Sequence, residues 1–145
     1  MTRDIIWHST AERAFKEEFS DDLQDVFYLA LKEVAAKKPP AIADTPHGEP
    51  FGPGVWKLKA KDRAGQWRVI YVRGYEEAIY VVNAYHKKSP SGGSEESPKD
   101  IKNTRERLYW AEFEHKVYLA EKAERETADK AKAKQEGKGK KGGKR

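Results

Sequence analysis

Cationic and aromatic side chains recur at short intervals in three segments in the middle of the chain, residues 57–61, 66–71 and 84–90. The first two alternate cationic or polar residues with apolar ones, as expected of a β-strand with one buried face and one outward face. The third contains a tyrosine, a histidine and two lysines in succession. Cations on one face of a sheet can hold RNA phosphates, and an aromatic ring can stack on an unpaired base. The pattern therefore predicts an RNA-binding surface.

These segments also contain the groups that metal-free RNA cleavage requires. A base must take the proton of the 2′-OH, cations must stabilise the charge at phosphorus, and an acid must protonate the leaving 5′-oxygen. Lys57 or Lys59 could be the base, and Arg68 would hold the scissile phosphate. Tyr85 could donate a proton or stack on a base, and His86 carries a ring that normally changes charge near neutral pH. These five residues are the candidate catalytic group.

The candidate RNA-binding residues are further cations in and around the same segments. They are Lys61, Arg63, Arg73, Lys87 and Lys88.

Each assignment has a structural alternative. Alternating lysines often mark only the solvated face of a strand. Arg68 could instead form a salt bridge to a helix carboxylate, and Tyr85 could simply pack at a strand end. His86 could be an exposed strand terminus. The aromatic residues on the opposite strand face are predicted to be core rather than a base-stacking platform.

Charge is unevenly distributed along the 145 residues, whose formal net charge is +5. Residues 57–88 carry eight basic and three acidic side chains, and residues 122–145 carry ten basic and four acidic ones. The excess of basic residues in the central segment indicates one positive surface. The excess of basic residues in the C-terminal segment is typical of a solubilising or polyanion-binding arm.

Composition excludes several kinds of site. The chain has no cysteine, so disulfides and thiolate sites are absent. Its four histidines lack metal-ligand spacing, and no metal or cofactor is predicted. No signal peptide or membrane span is recognisable, so we expect a cytoplasmic protein that does not contact membranes.

The first part of the chain predicts a strand and two helices. A short strand over 3–8 precedes a helix capped by Ser9 or Thr10 and ending near Phe19. Ser20 should cap a second helix, which ends before the prolines at 39 and 40. The stretch 39–54 contains five prolines and three glycines and is predicted to be a loop.

From residue 55 the apolar residues recur at every second position, as in a β-strand. Residues 55–61 and 66–73 predict a hairpin with a four-residue connection, in which Lys61 pairs with Gln66 and Lys59 lies opposite Arg68. A central strand over 78–86 follows, and a helix begins at Pro98 with an apolar stripe reaching about Leu119. The order is β-α-α-β-β-β, an α/β (α+β) class. We expect one domain over 1–120 and a basic tail over 121–145, with helix fraying from about Gly137.

Four strings within this framework resemble the successive motifs of one family, the phage-derived Gp49-like/HigB branch of the RelE toxin superfamily. They are residues 54–59, 67–71, 84–89 and 98–101, and the resemblance extends over roughly residues 4–115. It implies a RelE-like core with a small, mostly antiparallel twisted sheet and a long C-terminal helix. Two departures are Lys57-Leu58-Lys59, where Glu-Leu-Arg is usual, and Tyr85, where Phe is usual.

The resemblance also implies an activity and partners. Such proteins are toxins of type II toxin–antitoxin modules, and many are metal-independent endoribonucleases that cleave mRNA on the ribosome and leave a 2′,3′-cyclic phosphate. The implied partners are mRNA, ribosomal RNA and a cognate helix-turn-helix antitoxin, with which such a toxin can form a hetero-oligomer. Two alternatives stay open: a noncatalytic RNA- or ribosome-binding protein, including a remnant that has lost toxicity, and a ParE-like DNA gyrase inhibitor on the same fold.

Overall fold

A computed structural model describes residues 2–48, 51–87 and 97–142 of the chain. The chain divides into two compact units, Met1–Ala111 and Glu112–Arg145. The elements in chain order are β1 (Asp4–Trp7), α1 (Ser9–Glu18), α2 (Asp21–Ala35), β2 (Ala43–Pro46), β3 (Val55–Asp62), β4 (Gly65–Val72), β5 (Ala78–Lys87) and α3 (Pro98–Gly142). The first unit holds every strand, both short helices and the beginning of α3.

The strands form one open five-stranded sheet in the order β1-β5-β4-β3-β2. Strand β1 runs parallel to β5, and the other three pairings are antiparallel. The predicted mixed α/β architecture, with a mostly antiparallel sheet and a long C-terminal helix, is therefore confirmed.

The stretch 39–54 is not entirely a loop, and the prediction was wrong there. Residues Ala43–Pro46 form the edge strand β2, which pairs with β3. An edge strand needs ladder hydrogen bonds on one side only, so a proline at its end is tolerated. A proline count cannot distinguish such a strand from a loop.

The predicted hairpin register is confirmed residue by residue. Lys61 pairs with Gln66, and Lys59 pairs with Arg68. The connection is shorter than expected, because Asp62 and Gly65 also pair and leave a loop of two residues.

Helices α1 and α2 cover one face of the sheet, and the main apolar core lies between these helices and the sheet. Phe15 of α1 is fully buried, with its ring centroid 4.7 Å from that of Phe19 and 5.0 Å from that of Trp7. Alternate residues of the hairpin complete this core. They include Leu58, Trp67, Val69 and Tyr71, with Trp56 partly buried against them.

The caps of the two short helices were predicted with mixed success. Ser20 caps α2 as expected, with its side chain accepting from the Leu23 backbone N–H at 3.2 Å. Helix α1, however, is capped by His8, whose Nδ1 accepts from the Thr10 backbone N–H at 3.2 Å. A neutral imidazole nitrogen offers the same lone pair as a serine oxygen, so this cap is chemically equivalent.

The His8 cap should make stability depend on pH. Burial lowers the pKa of His8 from 6.5, and the nearby charge of Arg107 acts in the same direction. Because the folded state disfavours the charged ring, the unfolded chain takes up the proton first as the pH falls. The contribution of the neutral His8 ring to the free energy of unfolding is complete above about pH 6.5. It is lost as the pH falls through the lowered pKa of His8 in the folded state. Urea unfolding at pH 7 and pH 5 measures it.

The matched variant is His8→Asn, which keeps an acceptor at the cap but does not titrate. Between pH 7 and pH 5, the wild-type protein should lose more unfolding free energy than this variant. An equal loss in both proteins would contradict the assignment.

The second unit is the continuation of α3. The helix extends to Gly142, beyond the predicted fraying at Gly137. Helix propagation adds a backbone hydrogen bond per residue without requiring apolar burial, so a polar sequence can continue a helix that is already formed. No helix in the described part of the chain combines the length and apolar character needed to cross a membrane.

Candidate nucleic-acid interface

The three central strands align three of the five predicted catalytic residues in one row. Lys59 of β3 pairs with Arg68 of β4, and Arg68 pairs with Tyr85 of β5. Residues directly opposite each other in a sheet point to the same face, with Cα atoms about 4.5–5.5 Å apart. The structure thus brings Lys59, Arg68 and Tyr85 together.

Two flanking rows extend this face. Lys61, Gln66 and Lys87 lie on the side nearer the hairpin loop, and Lys57, Ile70 and Asn83 lie on the other. Gln66 holds the arginine of the central row, because its Oε1 accepts from Arg68 Nη2 at 2.9 Å. We use the name cationic row for Lys59, Arg68 and Tyr85, and rim for Lys57, Lys61 and Lys87.

The face is less open than the alternating pattern predicted. The first turns of α3 contact it, since Asn83 Nδ2 donates to Thr104 Oγ1 at 3.1 Å. Arg68 is only 2% exposed and Tyr85 only 7%. An approaching phosphate therefore meets the half-buried or exposed lysines of the rim before it meets Arg68.

His86 lies on the opposite face from the cationic row. Its ring stacks on Trp67 with centroids 3.9 Å apart, and its Nε2 is 2.7 Å from the carbonyl oxygen of Ala64. These contacts tie the end of β5 to the hairpin loop. A catalytic role for His86 stays a prediction, and its hydrogen bond is of the kind that holds a turn.

Tyr85 and His86 nevertheless line one cavity of about 660 Å³ at the end of β5. Helix α1 contributes Thr10 and Glu18 to its wall, and the first turns of α3 contribute Asp100 and Arg107. Arg107 Nη1 also donates to the Val82 carbonyl at 3.1 Å, on the part of β5 that extends beyond its pairing with β1. Tyr85 thus belongs to both the cationic row and this cavity.

The remaining predicted RNA-binding residues are dispersed. Arg63 is exposed in the hairpin loop, two residues after Lys61. Arg73 lies on the face that carries α2, where its Nη1 is 3.2 Å from Asp44 Oδ2. Lys88 falls outside the described residues.

The hairpin loop itself depends on Gly65. Its φ is +134°, and a Cβ at this position would lie 2.7 Å from the Lys87 carbonyl oxygen and 2.9 Å from His86 Nε2. Asp62 closes the loop, with its Oδ1 accepting from the Ala64 backbone N–H and from Trp67 Nε1. The start of β4 can approach the end of β5 this closely only because position 65 has no side chain.

We predict that Gly65→Ala lowers the free energy of unfolding by about 1–3 kcal/mol, because it adds both an unfavourable φ and a clash. Urea denaturation measures the change. Gly52→Ala is the control, since Gly52 also has a positive φ (+80°) but no atom near the added Cβ. Equal losses in the two variants would show that the clash contributes nothing.

Sequence reasoning missed Gln66 as the residue that holds Arg68. The signal was present, because residues i and i+2 of a strand share a face and Gln66 was already paired in the predicted register. Among the described residues, no group of three or more histidine or acidic side chains is arranged to hold a metal ion.

Comparison with known families gives one match. The family described as Phage derived protein Gp49-like (DUF891) matches residues 14–109, which is more than half of the chain. The matched range begins within α1 and ends within α3, so it includes β2 to β5 and the cationic row. No curated protein matches the chain.

Proposed function

The chain belongs to the Gp49-like family of phage-derived proteins, and we propose that it is the toxin of a type II toxin–antitoxin module that cleaves ribosome-bound mRNA. Proteins of this family are commonly toxins of such modules. The nuclease activity and the target are our inference from the residues of the sheet.

The observation that carries the proposal is the cationic row. A lysine, an arginine and a tyrosine lie on three adjacent strands in direct register, which is the set of groups that metal-independent RNA cleavage can use. The lysines of the rim supply further positive charge beside them. Phosphate contacts of this kind position an RNA strand without reading its sequence.

In the proposed reaction, Lys59 in its neutral form accepts the proton of the 2′-OH, and the 2′-oxygen forms a bond to phosphorus. Arg68 stabilises the added negative charge on the phosphoryl oxygens. The bond from phosphorus to the 5′-oxygen breaks, and that oxygen takes a proton from Tyr85 or from His86 across the shared cavity. The products are a 2′,3′-cyclic phosphate and a 5′-OH. Lys57, one row away, is the alternative base.

The proposed partners follow from this activity. The mRNA and the ribosome would be bound through the rim, and a small helix-turn-helix antitoxin would inhibit the toxin in a hetero-oligomer. Binding through cations should weaken as salt increases.

A second candidate is a protein that binds RNA without cutting it. The burial of Arg68, at 2% exposed, favours this reading, because a phosphate clamp must reach its ligand. On this reading the rim binds RNA and no product forms.

The test is a translation extract in which an mRNA is incubated with the purified protein, with and without ribosomes, and RNA ends are mapped. We expect cuts only with ribosomes, carrying 2′,3′-cyclic phosphate ends and persisting in EDTA. Salt-dependent RNA binding without cuts would support the noncatalytic alternative. Absence of both cuts and binding, together with inhibition of DNA gyrase in a supercoiling assay, would replace the proposal with the gyrase-inhibitor reading.

A further inference from the structure

A second cavity, which is lined by cations, lies on the face of the sheet that carries α2, opposite to the face of the cationic row. Its volume is about 570 Å³, and it lies beside the C-terminal end of α2. The cations that line it are Arg3, Lys37, Lys38 and Arg73, and Asp44 is the carboxylate among its lining residues. Its apolar walls come from Val34, Pro39, Pro40, Ile42 and Trp56.

Arg73 is fixed in this cavity before any ligand arrives. Its Cζ lies 3.6 Å from the ring centroid of Trp56, and its Nη1 lies 3.2 Å from Asp44 Oδ2. The side chain is still 36% exposed. A guanidinium that is stacked and partly exposed loses little further freedom when it binds an anion.

Asp44 does not cancel the positive charge of the cavity. Its side chain is 7% exposed, and both carboxylate oxygens lie 2.9 Å from the hydroxyl of Tyr71. Burial raises the pKa of Asp44, whereas the Tyr71 hydrogen bond and the charge of Arg73 lower it. One carboxylate already engaged by Tyr71 and Arg73 faces four cations, so the cavity is positive overall.

Arg3 has an unused donor at the same place. Its Nη1 donates to the Arg73 carbonyl at 3.3 Å, whereas its Nε is buried and has no hydrogen-bond partner among the residues that the structure describes. A buried donor without a partner is unfavourable, and the delocalised charge of the same guanidinium adds to the positive charge of the cavity that Arg3 lines.

Lys37 occupies a backbone position that normally selects glycine. It follows the C-cap of α2 with a φ of +62°, and its N–H donates to the Val34 carbonyl while that of Lys38 donates to Glu33. This bonding pattern is the Schellman motif, in which glycine is the usual residue at the left-handed position. A cation thus stands at the cavity in a position where glycine would fit the backbone better.

We propose that this cavity binds a nucleoside phosphate, as a free nucleotide or as one unit of an RNA strand. The cations match the phosphate, and the apolar walls match the flat faces of the base and sugar. A cavity of this size fits one small ligand rather than an extended peptide. The proposal does not rest on the nuclease function, because it uses none of the residues of the cationic row.

The test is an NMR titration of the full chain with 5′-AMP, adenosine and inorganic phosphate. We expect saturable shifts of the Lys37, Lys38 and Arg73 signals with AMP, and at least tenfold weaker binding of adenosine. A short single-stranded RNA distinguishes the two sources: tighter binding than AMP assigns the site to RNA, and equal or weaker binding assigns it to a free nucleotide.

Lys37→Gly separates an effect on binding from an effect on folding. It removes a cation from the cavity, and glycine adopts the positive φ of this position without strain. The Kd for AMP should rise at least fivefold while the Tm stays unchanged or rises. Lys32→Gln is the control: Lys32 is an exposed cation of the last turn of α2 that does not line the cavity, and its loss should leave the Kd unchanged.

Three results of the AMP titration and the Lys37→Gly variant would overturn the proposal. They are the absence of saturable shifts with AMP, an unchanged Kd in Lys37→Gly, and shifts confined to the cationic row. Binding of an acidic peptide to this cavity without binding of AMP would also overturn it and would mark the cavity as a protein contact. The RNA-cleavage assay is separate, so either proposal can fail alone.

Discussion

Replacing Lys59 with glutamine is expected to lower cleavage of ribosome-bound mRNA by about 100- to 10,000-fold, the usual contribution of a general base. Lys59 lies directly opposite Arg68 in the hairpin register. Glutamine keeps part of the apolar stem but can neither accept the 2′-OH proton as an amine nor stabilise charge at phosphorus. End mapping of a single mRNA in the translation extract measures the loss.

The control for this variant is Lys102→Gln, which makes the same change of charge at an exposed position of α3. It should cleave like the wild-type protein. Both variants should have the wild-type Tm, since neither side chain belongs to the apolar core. Equal cleavage by the two variants would remove Lys59 from the reaction and leave Lys57 as the candidate base.

Replacing Phe15 with alanine is expected to lower the free energy of unfolding by about 3–5 kcal/mol, as found when large aromatic side chains are removed from cores. Phe15 is fully buried, and its ring lies within 5.1 Å, centroid to centroid, of those of Trp7, Phe19 and Tyr28. Three aromatic neighbours cannot all close on the cavity that alanine leaves. Urea denaturation followed by circular dichroism measures the loss.

Phe113→Ala is the matched control, because Phe113 is 64% exposed. Its effect should stay within about 0.5 kcal/mol, the usual range for surface positions. Since whole domains are stable by only about 5–15 kcal/mol, Phe15→Ala should also shift the urea midpoint strongly. A loss of less than about 1 kcal/mol would show that α1 contributes little to the core, against the packing described above.

The sequence alone determined those features that depend on local pattern. The period of two fixed the hairpin register to the residue, because a slip by one residue would exchange its buried and outward faces. Ser20 was identifiable as a cap because capping depends on the residue type and its neighbours. The order of short motifs was sufficient to predict the Gp49-like family, which the match over residues 14–109 confirms.

Features that depend on distant parts of the chain were not accessible in this way. His86 adjoins the catalytic candidates in sequence, but it lies on the other face with its ring on Trp67, since alternate residues of a strand point to opposite faces. The same rule could have separated it from Tyr85. The edge strand β2 exists because β3 supplies its hydrogen bonds, which proline content cannot reveal.

The burial of Arg68 and the cavity around Arg73 were decided by tertiary structure only. Arg68 has the alternation of an outward strand residue, but the first turns of α3 pack on that face of the sheet. Arg3, Lys37 and Arg73 are far apart in sequence and meet at one cavity through the packing of α2 on the sheet. Local sequence pattern determines which way a side chain points, because that direction depends on the backbone angles of neighbouring residues. What covers that side chain, and which charges it meets, depends on contacts between distant segments.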